Sequence, residues 1–570
     1  MPLTSLRSPR ATRAVLPLWA LLVSAATLWP FWLAFATPSS GYAFMVRDMM
    51  IPARMPLNDL NEGLSSSAPR AIPQDTLLSV FLPPLSTVWI VAAMVLFCGT
   101  AGMIYTAWWV RRTVGARLPV QMVASLLLVW NPYTIERMLQ GQWSIVVAMW
   151  LLPAIAYTST YKRCGPMLFF LGIAAFTPTG WMFGGIIALV CARSWLFAGV
   201  VAGAQLFLAA PWLLVTVFNG SDVSADSSSA AAFAARAESG VGTLGALMGL
   251  GGIWNFEAVP DSRTGWSAAI GVLLCALMVM GAWGAREIIR RHCGVLVVAA
   301  LAIVVPFLLS TSAGVSVMGL LMDSVPGAGL LRDSQKFVAL AIPGMTLLLA
   351  RAVQMIAGRL GTGRWLVSVA VGILIALTVP ALPAEMSPLK AQRLAPEWTQ
   401  IVNAVSQPTH SSTLLLPPGN YRVQDGQPVV DPALKLLPGN PIDPGFLIVD
   451  DKLVDGNPTA IALLQDTMNG EDHLAENSVG WVLVDRDSIP DGTDTSAMDQ
   501  LLAQHQVMVK SDRYELYYIA DAPPHAHENS SLPIFLGVGL YWFIFGLALC
   551  LSVWQIVLWR RKEFAPTPDQ

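Results

Sequence analysis

Residues 84–110 read PLSTVWIVAAMVLFCGTAGMIYTAWWV, and Arg111-Arg112 follows at once. The run carries no Asp, Glu, Lys or Arg, and about 20 apolar residues in a helix suffice to cross the hydrocarbon of a bilayer. A cationic pair at the end of such a run marks the cytoplasmic side. The rest of the chain repeats the pattern. Its 570 residues are 55% hydrophobic and 12% charged, where a soluble globular chain carries about 25% charged residues. So much apolar surface has no place in a water-soluble fold, and a bilayer supplies one.

Twelve apolar runs are candidate spans: 14–36, 84–110, 118–131, 143–159, 165–177, 180–193, 195–218, 266–285, 294–311, 337–357, 364–382 and 533–558. Runs 165–177 and 180–193 are short. The stretch Thr177-Pro178-Thr179-Gly180 between them is a turn signal that fits a kinked helix or a tight hairpin. Charge favours the hairpin. Arg7, Arg10 and Arg13 place the N-terminus inside. With twelve spans, Arg111-Arg112 to Arg117, Lys162-Arg163, Arg193, Arg286 to Arg291, Arg351 to Arg364 and Arg560-Arg561-Lys562 fall inside as well.

The outer segments are then 37–83, 132–142, 219–265, 312–336 and 383–532. The expected architecture is an all-α membrane domain over 1–383 with long outer loops 37–83 and 219–265. A small extracytoplasmic α/β domain follows over 384–532, then a final transmembrane helix and cytoplasmic tail over 533–570. Residues 384–532 hold 21 acids against 8 bases, and the rest of the chain 15 against 26, so the soluble part is acidic and the membrane part basic. In segment 37–83, Tyr42, Phe44, Met45, Met49, Met50 and Ile51 predict helices lying on the membrane surface. The Ser/Ala-rich stretch 221–238 predicts a mobile loop. Within 384–532 the pattern predicts helices at 396–405, 457–468 and 496–505, and strands at 413–416, 480–485, 506–510 and 514–519.

The six cysteines lie in apolar runs or their basic connections, with no CxxC and no Cys/His ligand spacing, which argues against disulfides and structural zinc. His525-Ala526-His527 stands in a Pro-rich linker and reads most simply as a solvated loop rather than a metal site. P-loop, dinucleotide-binding and nucleophile-elbow motifs are absent from the sequence, which disfavours ATP-driven pumping by this chain. No basic domain points to nucleic acid.

Four polar groups on the outer segments are candidate sites. Val46-Arg47-Asp48-Met49, with Asn58-Asp59 and Asn61-Glu62 behind it, offers carboxylates near the membrane surface that suit a general base, or else an ion pair anchoring an interfacial helix. Asn131-Pro132 to Glu136-Arg137, with Gln140-Gly141-Gln142-Trp143, offers Arg137 to an anionic head group and Glu136 to orient it, or else an ordinary helix cap. Leu331-Arg332-Asp333-Ser334-Gln335-Lys336 sets two cations at the head of an apolar span, as a lipid phosphate requires; the alternative is snorkelling. Trp254-Asn255-Phe256-Glu257 suits a sugar or head group, or an interfacial aromatic belt.

Taken together, the Arg47-Asp48 loop, the 131–143 stretch, the Thr177–Gly180 turn and the 331–337 run resemble actinobacterial multi-span glycosyltransferases of the GT-C type. These include arabinofuranosyl- and mannosyltransferases of cell-envelope assembly. The resemblance covers roughly residues 10–380, and the C-terminal outer domain fits the same layout. It implies a polyprenyl-phosphate-linked sugar donor, an envelope glycan or glycolipid acceptor, and inversion at the sugar carbon beside membrane lipids. By position it implies Asp48 as the base, with Asp59 and Glu62 in reserve. Arg332 and Lys336 would hold the lipid phosphate, helped by Arg137. Arg47, Gln142, Trp254, Glu257 and Asp333 complete the expected substrate site. The first loop lacks an Asp-x-Asp pair, and a divalent cation stays open. A non-catalytic assembly factor and a glycolipid transporter are the alternatives; few mid-span charges and no obvious repeat disfavour the transporter.

Overall fold

The computed structural model describes residues 9–564 except 66–69, 220–226, 264, 284, 326, 362, 407–410, 425, 450–451 and 528. Arg7 and residues 221–226 of the Ser/Ala-rich stretch lie outside the described residues. Each of the twelve apolar runs falls on a helix. Among the described residues seven helical stretches are long and apolar enough to cross a membrane: Thr87–Val114, Leu118–Leu139 with a break at Trp130-Asn131, Trp143–Thr160, Trp195–Phe218, Arg286–Leu309, Ser334–Arg359 and Leu532–Gln555. The shorter apolar helices are Ala14–Thr27, Cys164–Ala174, Pro178–Cys191, Trp266–Ala282 and Arg364–Ala376. The two short runs are thus separate helices, with Thr177 extended between them and Pro178 opening the second. They pack closely, for a Cβ on Gly180 would stand 2.2 Å from the Ala174 carbonyl oxygen.

Helix Trp143–Thr160 is apolar all round and buried along its whole length, as a helix without a polar face must be. The outer helices turn large apolar side chains outward, among them Leu206, Val217, Val304, Leu308 and Phe543, and this rim is the surface a bilayer covers. The basic connections gather at one end, where Arg112, Tyr161, Arg193, Glu287, Arg291 and His292 line one cavity of about 140 Å³. The long polar segments and the C-terminal part meet one another at the other end.

There the structure corrects two expectations. Residues 42–52 form a β-hairpin, not interfacial helices: strand Tyr42–Val46 pairs with Met49–Pro52 on one edge and Gln392–Arg393 on the other. Phe44, Val46, Met49 and Ile51 face the helical core. Ala43, Met45 and Met50 face Val429 of the C-terminal part. A strand buried on both faces reads as a continuous apolar run and loses the alternation that would reveal it. The described part of the Ser/Ala-rich stretch is also no open loop. Ser229–Ala232 is helical, and Ser229, Ala230, Phe233 and Ala235 are buried.

The C-terminal part forms an α/β unit. Its sheet runs in the order Gln506–Lys510, Tyr514–Tyr518, Val479–Asp485, Ser412–Leu416 and Asn440–Pro441, the last three parallel to one another. Period-two alternation sends Leu415, Trp481 and Leu483 to the face covered by helix Glu397–Val405. Leu414, Leu416, Val482 and Val484 go to the face covered by Pro458–Met468 and Ser496–Leu502. This unit is fixed on segment 37–83. Asn58 Nδ2 donates to Leu434 O and Leu437 O, Asp59 N to Gly439 O, and Lys435 pairs with Asp75.

The turn 140–142 fits beneath the hairpin tip with no room to spare. Gly141 adopts φ +86°, and a Cβ there would lie 2.2 Å from Met49 N and 2.5 Å from Val46 O. Gly141→Ala is therefore expected to destabilise the fold by more than about 2 kcal/mol, read as a lowered thermal midpoint in detergent. Gly199→Ala, whose Cβ meets open space, should leave the midpoint in place.

Candidate functional site

Asn131 caps a short helix by accepting from Thr134 N at 2.9 Å, and Pro132 opens it. All eight residues of this helix, Pro132–Leu139, are buried. Arg137 therefore carries its charge into a fully buried site. Its Nη2 donates to Asp333 Oδ1 at 2.8 Å, its Nη1 to Asp333 Oδ2 and to Gln142 Oε1 at 2.6 Å, and its Nε to Gln335 Oε1 at 3.1 Å. The run 332–337 supplies these partners because a 3₁₀ helix over Ser334–Ala341 precedes the α-helix there. Lys336 lies beside them, 7% exposed, with its main-chain oxygen accepting from Tyr133 Oη at 2.7 Å. Among the described residues no carboxylate pairs with its ammonium, which stands 5.7 Å from the Phe337 ring centroid.

A second buried group adjoins the first. Arg263 Nη2 lies 2.8 Å from Glu238 Oε2, its Nε 3.4 Å from Glu136 Oε1, and its Nη1 donates to Thr378 O at 3.0 Å. Glu136 also accepts from Ile253 N and Glu238 from Gly252 N. Burial pushes the Glu238 pKa up, although Arg263 and the Gly252 amide pull the other way. Gln335 Nε2 donates to Gly251 O and joins the two groups.

Asp48 sits at the hairpin tip, after Arg47 in the left-handed region at φ +44°. Its Oδ2 accepts from Gln140 and Gln142, each at 3.3 Å, and its Oδ1 accepts from the Tyr421 hydroxyl of the C-terminal part. Burial, then the charge and hydrogen bond of Asp48, push the Tyr421 pKa well above its ordinary value, so the phenol keeps its proton. Gln142 thereby links Asp48 to Arg137. In front of Tyr421 and Gln140 lies a cavity of about 480 Å³. Arg47, Trp254, Glu257 and Phe256 line it on the membrane side, and Tyr421, Asn420 and Phe446 on the C-terminal side. Aromatic faces beside polar groups are what a sugar ring requires.

The predicted residues are thus partly gathered. Arg47, Trp254 and Glu257 line the cavity, and Arg47 donates to Leu139 O and to Glu257 O. Asp48, Gln142, Arg137 and Asp333 form one hydrogen-bonded chain behind its wall. Glu136 belongs to the Arg263 group. Arg332 is turned to the C-terminal part, where Asp455 takes its Nη1 at 2.7 Å and Phe233 lies under its guanidinium at 4.1 Å. Asp59 and Glu62 stand apart in the short helix Asp59–Glu62. Tyr421, Glu238 and Asp455 were not singled out from sequence. For Tyr421 a signal exists: Pro417-Pro418-Gly419-Asn420 is a turn just past the carboxyl end of a parallel strand, where α/β sheets hold ligands.

Burial alone would raise the Asp333 pKa. The charge and hydrogen bonds of Arg137, with Lys336 and Arg332 beyond, outweigh it and hold the carboxyl below its ordinary 3.8. A depressed folded-state pKa stabilises fully above the ordinary value and is lost as pH falls through the folded one. The thermal midpoint is therefore expected to fall on acidification below about pH 4. Asp333→Asn should lack this component and cost about 3–5 kcal/mol at neutral pH, since Arg137 stays buried without its counter-charge. Thermal melts of both proteins across pH check this.

No protein-family model matches the chain, and no curated protein matches its sequence. Among solved structures, the cryo-EM structure of arabinofuranosyltransferase AftD from Mycobacteria is similar, with a TM-score of 0.52 over 90% of this chain at 13% identity. A mutant of the same enzyme aligns over 91% of this chain at 14% identity, with a TM-score of 0.48. The chain spans 40% of the length of the first of these. At such identity the likeness is one of fold alone.

Proposed function

We propose that the protein is a membrane glycosyltransferase of cell-envelope assembly that takes its sugar from a polyprenyl-phosphate carrier at the outer face of the cytoplasmic membrane. In this reading twelve helices span the bilayer, the basic connections lie inside, and the C-terminal unit stands outside as the roof of the site. The observation that carries it is the hairpin tip. It holds a carboxylate directly behind the wall of an aromatic and polar cavity, at the end of the molecule away from the basic connections.

The chemistry follows from the placement. An acceptor hydroxyl that displaces Tyr421 meets Asp48 Oδ1. Asp48 takes its proton as the acceptor oxygen bonds to the anomeric carbon, and the carbon–oxygen bond to the carrier phosphate breaks with inversion. The departing phosphate gains charge. The ammonium of Lys336, at the head of an apolar segment and without an ion-paired carboxylate among the described residues, would supply a countercharge, and Arg332 adds a second if it leaves Asp455. No nucleotide is needed.

One observation favours the assembly-factor reading: Asp48 already receives three hydrogen bonds within the chain. A transfer assay in membranes separates the two. Asp48→Asn is expected to abolish transfer with expression unchanged; full activity in that variant removes Asp48 as the base. Lys336→Ala is expected to raise the donor KM about tenfold or more, and an unchanged KM contradicts the phosphate role. A wild-type protein inert toward every polyprenyl-phosphate sugar supports the assembly factor.

A further inference from the structure

We propose that Asp59, His525 and His527 form a divalent-metal site, best suited to Zn²⁺, that clasps the first outer segment to the linker entering the last helix. One ligand atom from each of the three residues lies within 4.8 Å of the others. His527 Nδ1 stands 3.5 Å from Asp59 Oδ2. Zinc bonds of about 2.0–2.1 Å in a tetrahedron put ligand atoms about 3.3 Å apart. One edge is thus already close to that length, and the remaining ligand atoms lie within 4.8 Å.

The carboxylate is prepared for a cation. The Asp59 side chain is 6% exposed, and its Oδ2 has no hydrogen-bond partner among the described residues. A buried carboxylate oxygen without a donor is costly, and a metal ion satisfies it. The backbone around it is held from two sides. Asn58 is bonded to Leu434 and Leu437, and Asp59 N to Gly439 O. Asn219 Nδ2 donates to both Gly63 O and Ser530 O at 2.9 Å. The same two segments that would share the ion are therefore already tied just beyond it.

Two imidazoles and one carboxylate select a transition metal over Mg²⁺ or Ca²⁺, which prefer oxygen ligands. Three protein ligands leave a fourth position for water. The sequence alone gave His525 and His527 no partner, since Asp59 lies more than 460 positions away. Ligation also withdraws Asp59 from the residues available as a base, so the site is independent of the Asp48 reading.

Untagged full-length protein in detergent is stripped with chelator, dialysed against micromolar Zn²⁺, and measured by elemental analysis and thermal melting. One retained zinc per chain and a raised midpoint are expected, with no such effect from Mg²⁺. The double variant His525→Ala/His527→Ala should lose both effects while keeping the metal-free midpoint. The single variant His527→Ala, at an exposed position, should weaken binding at least tenfold. His473→Ala, in the group of half-buried Asp466 with exposed Glu471 and His473, should bind as wild type does. Absence of retained zinc in the wild type, or equal retention in the double variant, overturns the proposal.

Discussion

A fully buried guanidinium must be neutralised where it stands, and the end of this molecule away from the basic connections is arranged around how that is done for Arg137. Asp333 supplies the charge, and Gln335 and Gln142 fill the remaining donor directions. Each partner fixes a different segment. Asp333 and Gln335 hold the entry to the helix that follows. Gln142 holds the turn beneath the hairpin. Through Gln142 the constraint reaches Asp48, and through Asp48 it reaches Tyr421 in the C-terminal unit. Glu136 and Glu238 around Arg263 extend the same buried layer, with Lys336 beside it. Three acids then face three bases, so the layer is neutral as a whole while one ammonium keeps no paired carboxylate.

The hairpin 42–52 is the joint between the two halves. One face packs on membrane helices and the other on Val429 and its neighbours. Backbone bonds from Arg47 N to Pro428 O and from Val430 N to Arg47 O continue the join at its tip. The cavity opens where the two halves meet, so the C-terminal unit is part of the site. Tyr421 closes over the very carboxylate that the membrane half presents. Any movement of the C-terminal unit would alter both the cavity and the environment of Asp48.

Much of this was legible in the sequence where the physics is local. Apolar runs gave helices, Thr177-Pro178 gave the break between the two short ones, and the period-two alternation around Leu415 and Trp481 gave the sheet. What failed was non-local. Tyr42–Pro52 looked like interfacial helix because burial by two different partners removes the polar face that marks a strand. Arg137 and Asp333 were each singled out, but 196 positions separate them and nothing local says that they pair. The signal for Tyr421, a turn just past a parallel strand, becomes readable only once the pairing of that strand with Val479–Asp485 is known, and that pairing is non-local. Arg332, expected to face a lipid phosphate, instead faces Asp455, an acid in a distant loop.

The central claim is that a lipid-linked sugar is received between Trp254 and Tyr421 with its phosphate at Lys336. A cryo-EM structure of the full chain in lipid nanodiscs with a polyprenyl-phosphate sugar tests it most directly. The account predicts a sugar ring in that cavity, the phosphate within hydrogen-bond distance of Lys336 Nζ, and Tyr421 moved off Asp48. A lipid phosphate bound elsewhere, with the Asp48–Tyr421 bond intact and the cavity empty, would contradict it.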